Sequence, residues 1–183
     1  MTLDKLVKEF YVKNRMPING GINDNTFQVK IFSIILPFPN PKFRKDVTHI
    51  HDIEHILNNC DTSWKGEGFI AGWEIGTGFH KHFPINIFIF LAFGYSLWLH
   101  PKSVFKGYKK GLNNIGIIDL GLNKSNLMKM ELTQLVAMTK KESYTHMGIW
   151  QWVKFLFWSF ISQIIFLSPL ILGIIGFIYL LEN

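Results

Sequence analysis

The longest apolar stretch of the chain covers residues 155–181, which are twenty-seven residues without a charged side chain. A helix needs roughly 20 apolar residues to cross a bilayer, and it tolerates proline and glycine. Tryptophans cluster at the near end, as in an interfacial aromatic belt: Trp150, Trp152 and Trp158. Lysines precede the stretch and none follows it, which predicts a single-pass protein with residues 1–154 on the cytoplasmic or matrix side. The alternative is a very apolar core helix.

A second apolar run, residues 84–99, is only sixteen residues long, which favours a buried or interfacial helix over a second span. The next segment, HPKSVFKGYKKGL, interleaves lysines with aromatic residues. This pattern suits contact with lipid headgroups, and a solvated helix end is the alternative.

Most of the remaining pattern also predicts helices. Asp46 or Thr48 is a suitable cap for a helix that reaches about Asn58. The segment that follows repeats glycine every four residues, which would give a helix one smooth face for close backbone approach: Gly68, Gly72 and Gly76. The stretch NLMKMELTQLVAMTKK is amphipathic, with four residues near one stripe: Leu127, Met130, Glu131 and Leu135.

Two segments are less regular. FQVKIFSIIL is ambiguous between strand and helix, and the proline-rich PFPNPKFR predicts a turn. No β-hairpin pattern is evident. We therefore expect an all-α fold, with a compact helical membrane-associated domain over residues 1–150 and a C-terminal transmembrane anchor over residues 151–183.

Composition supports the membrane class, because 48% of the residues are hydrophobic and only 17% are charged. The net charge of +6 suits an anionic membrane surface. We find no base-stacking module or arginine-rich helix, so no nucleic-acid partner is expected. One cysteine, Cys60, excludes a disulfide framework within the chain.

The stretch HIHDIEHILNNCDTSWKGE, residues 49–67, contains the candidate chemistry. His51 and His55 are four residues apart and would share one face of a helix, the spacing that helical metal sites use. Asp52 could bind the ion or orient a histidine, and Glu67 could complete the site. Two nitrogen and two carboxylate ligands suit a divalent metal ion, zinc first, with iron or manganese as alternatives. The other interpretation is a set of structural or solvated polar residues.

Two further acids lie near this constellation. Glu54 is expected to point away from His51 into solvent. Glu74 lies seven residues after Glu67 and returns to its helix face, so it is a candidate second carboxylate.

The pattern H-D-x-x-H, eleven residues, then E resembles the hallmark of the coenzyme Q (ubiquinone) biosynthesis family founded by the fourth Coq protein. Looser similarities are IGTG at 75–78, FKGYKKGLNN and MELTQL, so the resemblance covers roughly residues 35–140. It implies an all-helical, membrane-associated protein that binds a divalent metal through His51, Asp52, His55 and Glu67. Family members are credited with oxidative decarboxylation at C1 of a prenylated ring, and they also serve as scaffolds. They are peripheral on the membrane, so residues 151–183 look like an added anchor.

Two functional hypotheses follow. The first is a metal-dependent enzyme that acts on a prenylated quinone precursor or similar lipid. The second is a non-catalytic lipid-binding or scaffold subunit of a membrane complex, with other membrane proteins as partners. A histidine-box oxygenase is disfavoured, because the remaining histidines do not form paired clusters: His49, His80, His82, His100 and His146.

Overall fold

The computed structural model describes residues 1–182, which are mostly helical, as the all-α prediction requires. The helices and strands are α1 Leu3–Lys13, β1 Thr26–Ile31, β2 Ile34–Pro39, α2 Lys42–Asn58, α3 Trp64–Thr77, α4 Asn86–Leu99, α5 Pro101–Gly111, α6 Lys124–Lys129, α7 Leu132–Thr139 and α8 Ile149–Glu182. Two short 3-10 helices cover Phe79–Lys81 and Ile117–Leu120. The chain divides into two compact units, each built from two segments. Unit 1 comprises Met1–Thr62 and Ile117–Lys140, and unit 2 comprises Ser63–Gly116 and the chain from Lys141 onward.

In unit 1, α1 packs on α2 and α6 through a buried apolar stripe: Leu3, Val7 and Phe10. The predicted cap of α2 at Asp46 or Thr48 is wrong, because the helix begins at Lys42, directly after Pro41. The turn predicted for the proline-rich segment is also wrong, because residues 37–39 belong to β2 and Pro41 directly precedes the first residue of α2. The Thr48 hydroxyl donates instead to the Arg44 carbonyl oxygen inside the helix, at 2.9 Å.

Strands β1 and β2 form an antiparallel hairpin, which the sequence pattern did not predict. Ile31 pairs with Ile34, so only two residues make the turn. Such turns usually need glycine or asparagine at positive φ, but here Phe32 occupies that region, with φ of 52°. The usual sequence signal of a hairpin turn is therefore missing.

The amphipathic stretch 126–141 is interrupted. Met130 is extended and ends α6, while Glu131 caps α7 in a capping box with Gln134. The two leucines of the predicted stripe, Leu127 and Leu135, are buried on these separate helices.

In unit 2, α3 and α5 run parallel and in close backbone contact, and the predicted glycine face of α3 is confirmed. A Cβ atom on Gly72 would collide with the carbonyl oxygen of Val104, and one on Gly107 with that of Phe69. Glycine at these positions therefore sets the distance between the two helices.

Helix α8 packs along α4 through its first half, where Ser162 is fully buried. From Pro169 to Leu181 every residue is exposed. The helix is long and apolar enough to cross a membrane.

Candidate metal centre

Helix α2 places the two predicted histidine ligands one turn apart. The Nε2 atoms of His51 and His55 lie 3.3 Å apart, and the rings meet edge to face at 77°. His55 is buried and His51 is partly exposed. The two imidazoles therefore converge through the nitrogen atoms that usually bind metal ions.

This separation fits a shared ion. A zinc ion binds histidine nitrogen at roughly 2.0–2.1 Å in tetrahedral geometry, which places two such nitrogens about 3.3 Å apart. The same distance also fits a hydrogen bond between two neutral imidazoles, whereas two protonated rings would repel each other.

Glu54 lies beside His51 on helix α2, and the expectation that it points into solvent is wrong. Its side chain is fully buried, and a carboxylate oxygen lies within 4.8 Å of a ring nitrogen of His51. Residues three apart are neighbours on a helix surface, so the spacing itself could have indicated this contact. Helix α2 thus contributes His51, Glu54 and His55 to the groups of side chains that could hold a metal ion, and the last two of these are buried.

Asp52 makes a different contact within unit 1. Its carboxylate accepts a hydrogen bond from the Tyr11 hydroxyl at 2.6 Å, and both side chains are buried. Burial, and then the negative charge of Asp52, raise the pKa of the Tyr11 phenol well above its usual value. Next to this pair, the Phe10 and His55 rings lie 5.8 Å apart. Asp52 and His55 therefore also hold α2 against α1.

The other two candidate acids lie on α3, in unit 2. Glu67 is in the first turn of α3, which the Ser63 side chain caps, and it is partly exposed. Glu74 is buried two turns further along. Their participation in metal binding stays a prediction.

Unit 1 also contains a polar cleft that the sequence pattern did not predict. This cleft of about 420 Å³ is lined partly by α2, with Lys45, Asp46 and His49, and partly by Lys124. Burial lowers the pKa of His49 to about 4; Lys124 acts in the same direction, and Asp46 opposes the shift. His49 is therefore neutral at pH 7, beside two lysines.

Comparisons of the chain with protein-family models, with curated proteins and with solved structures found no match.

Proposed function

We propose that the chain is a divalent-metal protein of a membrane, which binds or acts on a prenylated quinone precursor or a similar lipid. The single observation that supports this best is the 3.3 Å separation of the His51 and His55 Nε2 atoms. The motif resemblance supports the substrate class and the C1 oxidative decarboxylation. The apolar C-terminal helix supports the membrane location.

The ligand set would be His51, His55 and carboxylates drawn from Asp52, Glu54 and Glu67. Such an ion would supply positive charge to anchor a substrate carboxylate and to polarise a ring oxygen. The protein's own part is to orient both imidazoles toward one point on helix α2, where His55 is buried and His51 is partly exposed. Exposed apolar side chains of unit 2 support contact with lipid: Ile87 and Leu99 on α4, and Leu156 and Phe160 on α8.

The first prediction is that the purified chain contains about one divalent metal ion per molecule. Replacing His51 and His55 by alanine should remove the ion, because both nitrogen donors are lost. The measurement is elemental analysis of detergent-purified protein, with circular dichroism to check that the helices remain. His146→Ala is the matched control, since His146 is an exposed histidine outside the constellation.

Carboxylate variants then separate the possible ligand sets. Asp52→Asn, Glu54→Gln and Glu67→Gln keep the side-chain size and remove one negative charge each. If one of these carboxylates binds the ion, its variant should bind the metal at least about tenfold more weakly, measured in competition with a chelating dye. A wild-type protein without metal, even after addition of zinc, iron or manganese, would contradict the metal-dependent function.

One observation favours a second candidate function, a non-catalytic lipid-binding or scaffold subunit. Asp52 bonds to Tyr11 and His55 packs against Phe10, so part of the motif also holds helices together. In that case the histidine variant would unfold unit 1 without any metal having been bound.

A further inference from the structure

Helix α4 and the first half of α8 run side by side in the same direction. Phe90 stacks on Trp158, and the Gly94 backbone approaches Ser162. At the end of α4, the Trp98 Nε1 atom donates to the Gln163 side-chain oxygen at 2.8 Å. Helix α4 therefore ends close to Gln163, whereas α8 continues to Glu182.

The same end of unit 2 carries exposed aromatic and basic side chains. Trp98 is 67% exposed and Leu99 is 38% exposed. The Ser103 hydroxyl donates to the Lys65 carbonyl oxygen at 2.7 Å, which joins the first turns of α3 and α5. Lys65 and Lys102 are both exposed in these turns. We call the surface formed by Lys65, Trp98, Leu99 and Lys102 the exit face.

The length of α8 beyond the exit face matches a bilayer. Residues 164–181 are uncharged, and eighteen helical residues span about 27 Å, close to the roughly 30 Å hydrocarbon layer. A boundary at residue 155 would conflict with the position of α5. Helix α5 runs antiparallel to α8. The Phe105 ring stacks on Trp152, and the Tyr108 hydroxyl donates to the Gln151 carbonyl oxygen. The first turn of α5 would then bring Lys102 into the hydrocarbon, where a charge is costly.

We infer that the exit face rests on the headgroup layer of a bilayer that contains anionic lipids, and that α8 enters the hydrocarbon near residue 164. This inference rests on the membrane location within the proposed function. Indole rings with an N–H group favour the interface, and lysines at this depth attract acidic headgroups. The first half of α8 stays outside the hydrocarbon, and Trp152 and Trp158 there stack on rings of unit 2.

The depth of α8 can be tested with two single-cysteine proteins made in a Cys60→Ser background. Phe157→Cys and Leu172→Cys replace exposed apolar residues of the same helix, which makes them a matched pair. Each carries an environment-sensitive fluorophore in vesicles of phosphatidylcholine and phosphatidylglycerol, some with brominated acyl chains. We expect brominated lipid to quench the label at 172 and leave the label at 157 unchanged.

The other outcomes overturn the inference in distinguishable ways. Quenching at both positions would place the boundary near residue 155 and keep the membrane location. Quenching at 157 alone would reverse the assigned depth. Quenching at neither position would show that α8 does not enter the hydrocarbon, which would contradict the membrane location in the proposed function. The metal prediction would be unaffected.

The charge component has its own readout, the preference of the protein for spin-labelled phosphatidylglycerol over phosphatidylcholine. Lys65→Glu with Lys102→Glu should lower this preference at least about fivefold. Lys109→Glu with Lys110→Glu is the control, because these exposed lysines lie at the opposite end of α5. An equal loss in both pairs, or no preference in the wild type, would overturn the assignment of the exit face to anionic lipid.

Discussion

Three neighbouring residues of α2 show how side chains of similar chemistry take different roles. Asp52 faces α1 and accepts from Tyr11, whereas Glu54 and His51 have polar atoms near each other on the helix. The proximity of His51 to His55 and to Glu54 follows from helical spacing and was available in the sequence. The Tyr11 contact was not, because forty-one positions separate its partners and only the tertiary packing brings them together.

Tyr11→Phe should lower the free energy of unfolding by about 1.5–3 kcal/mol at pH 7, the usual range for a hydrogen bond to a charged group. The difference between wild type and variant should then shrink above pH 10. The raised pKa keeps the phenol protonated in the folded protein while the unfolded chain releases its proton, so rising pH favours unfolding. Urea titrations at several pH values, followed by circular dichroism, measure both effects.

The comparison of the two proteins also removes the contribution of Tyr108, whose pKa burial raises to about 12. Tyr108 is present in both, so its titration cancels in the difference. A difference that stays constant from pH 8 to pH 12 would contradict the role assigned to Tyr11.

At the scale of elements, the sequence predicted helices and their contacts best where a single feature of the pattern, such as a glycine repeat or a charge-free run, determined the structure. The four-residue glycine repeat of α3 requires close approach of another backbone, and α5 provides it. The charge-free runs became α4 and α8. The hairpin was missed because the side chains of β2 do not alternate between buried and exposed: Ile34, Ile35 and Leu36 are all exposed. Its pairing with β1 includes a contact between the Phe27 and Phe38 rings.

Gly72→Ala tests the α3–α5 contact. The added methyl group meets the backbone carbonyl of Val104, which cannot move without shifting α5, so we expect a loss of about 3 kcal/mol or more. Gly173→Ala is the control, because nothing lies within 4 Å of a Cβ atom there and alanine favours helix. Thermal melts in detergent compare the two, and equal melting temperatures would show that α3 and α5 are not held by this contact.

At the scale of the whole molecule, α8 belongs to two environments. Its first half completes unit 2, with Phe155 and Ser162 buried, and residues 169–181 are all exposed. The predicted division at residue 150 treats the helix as a separate anchor and stays a prediction. The sequence could not place the change between the two halves, because residues 155–181 are uniformly free of charge.

Two truncations decide whether the first half of α8 is structural. A chain of residues 1–166 should keep a cooperative thermal transition in mild detergent, because the contacts of Phe155, Ser162 and Gln163 with the other helices of unit 2 remain. A chain of residues 1–148 loses all of them and leaves Gly94 and Phe105 without their neighbours, so its near-ultraviolet circular dichroism should lose the tertiary signal. If the shorter chain instead melts like the longer one, α8 contributes nothing to unit 2, and the division at residue 150 describes the molecule better.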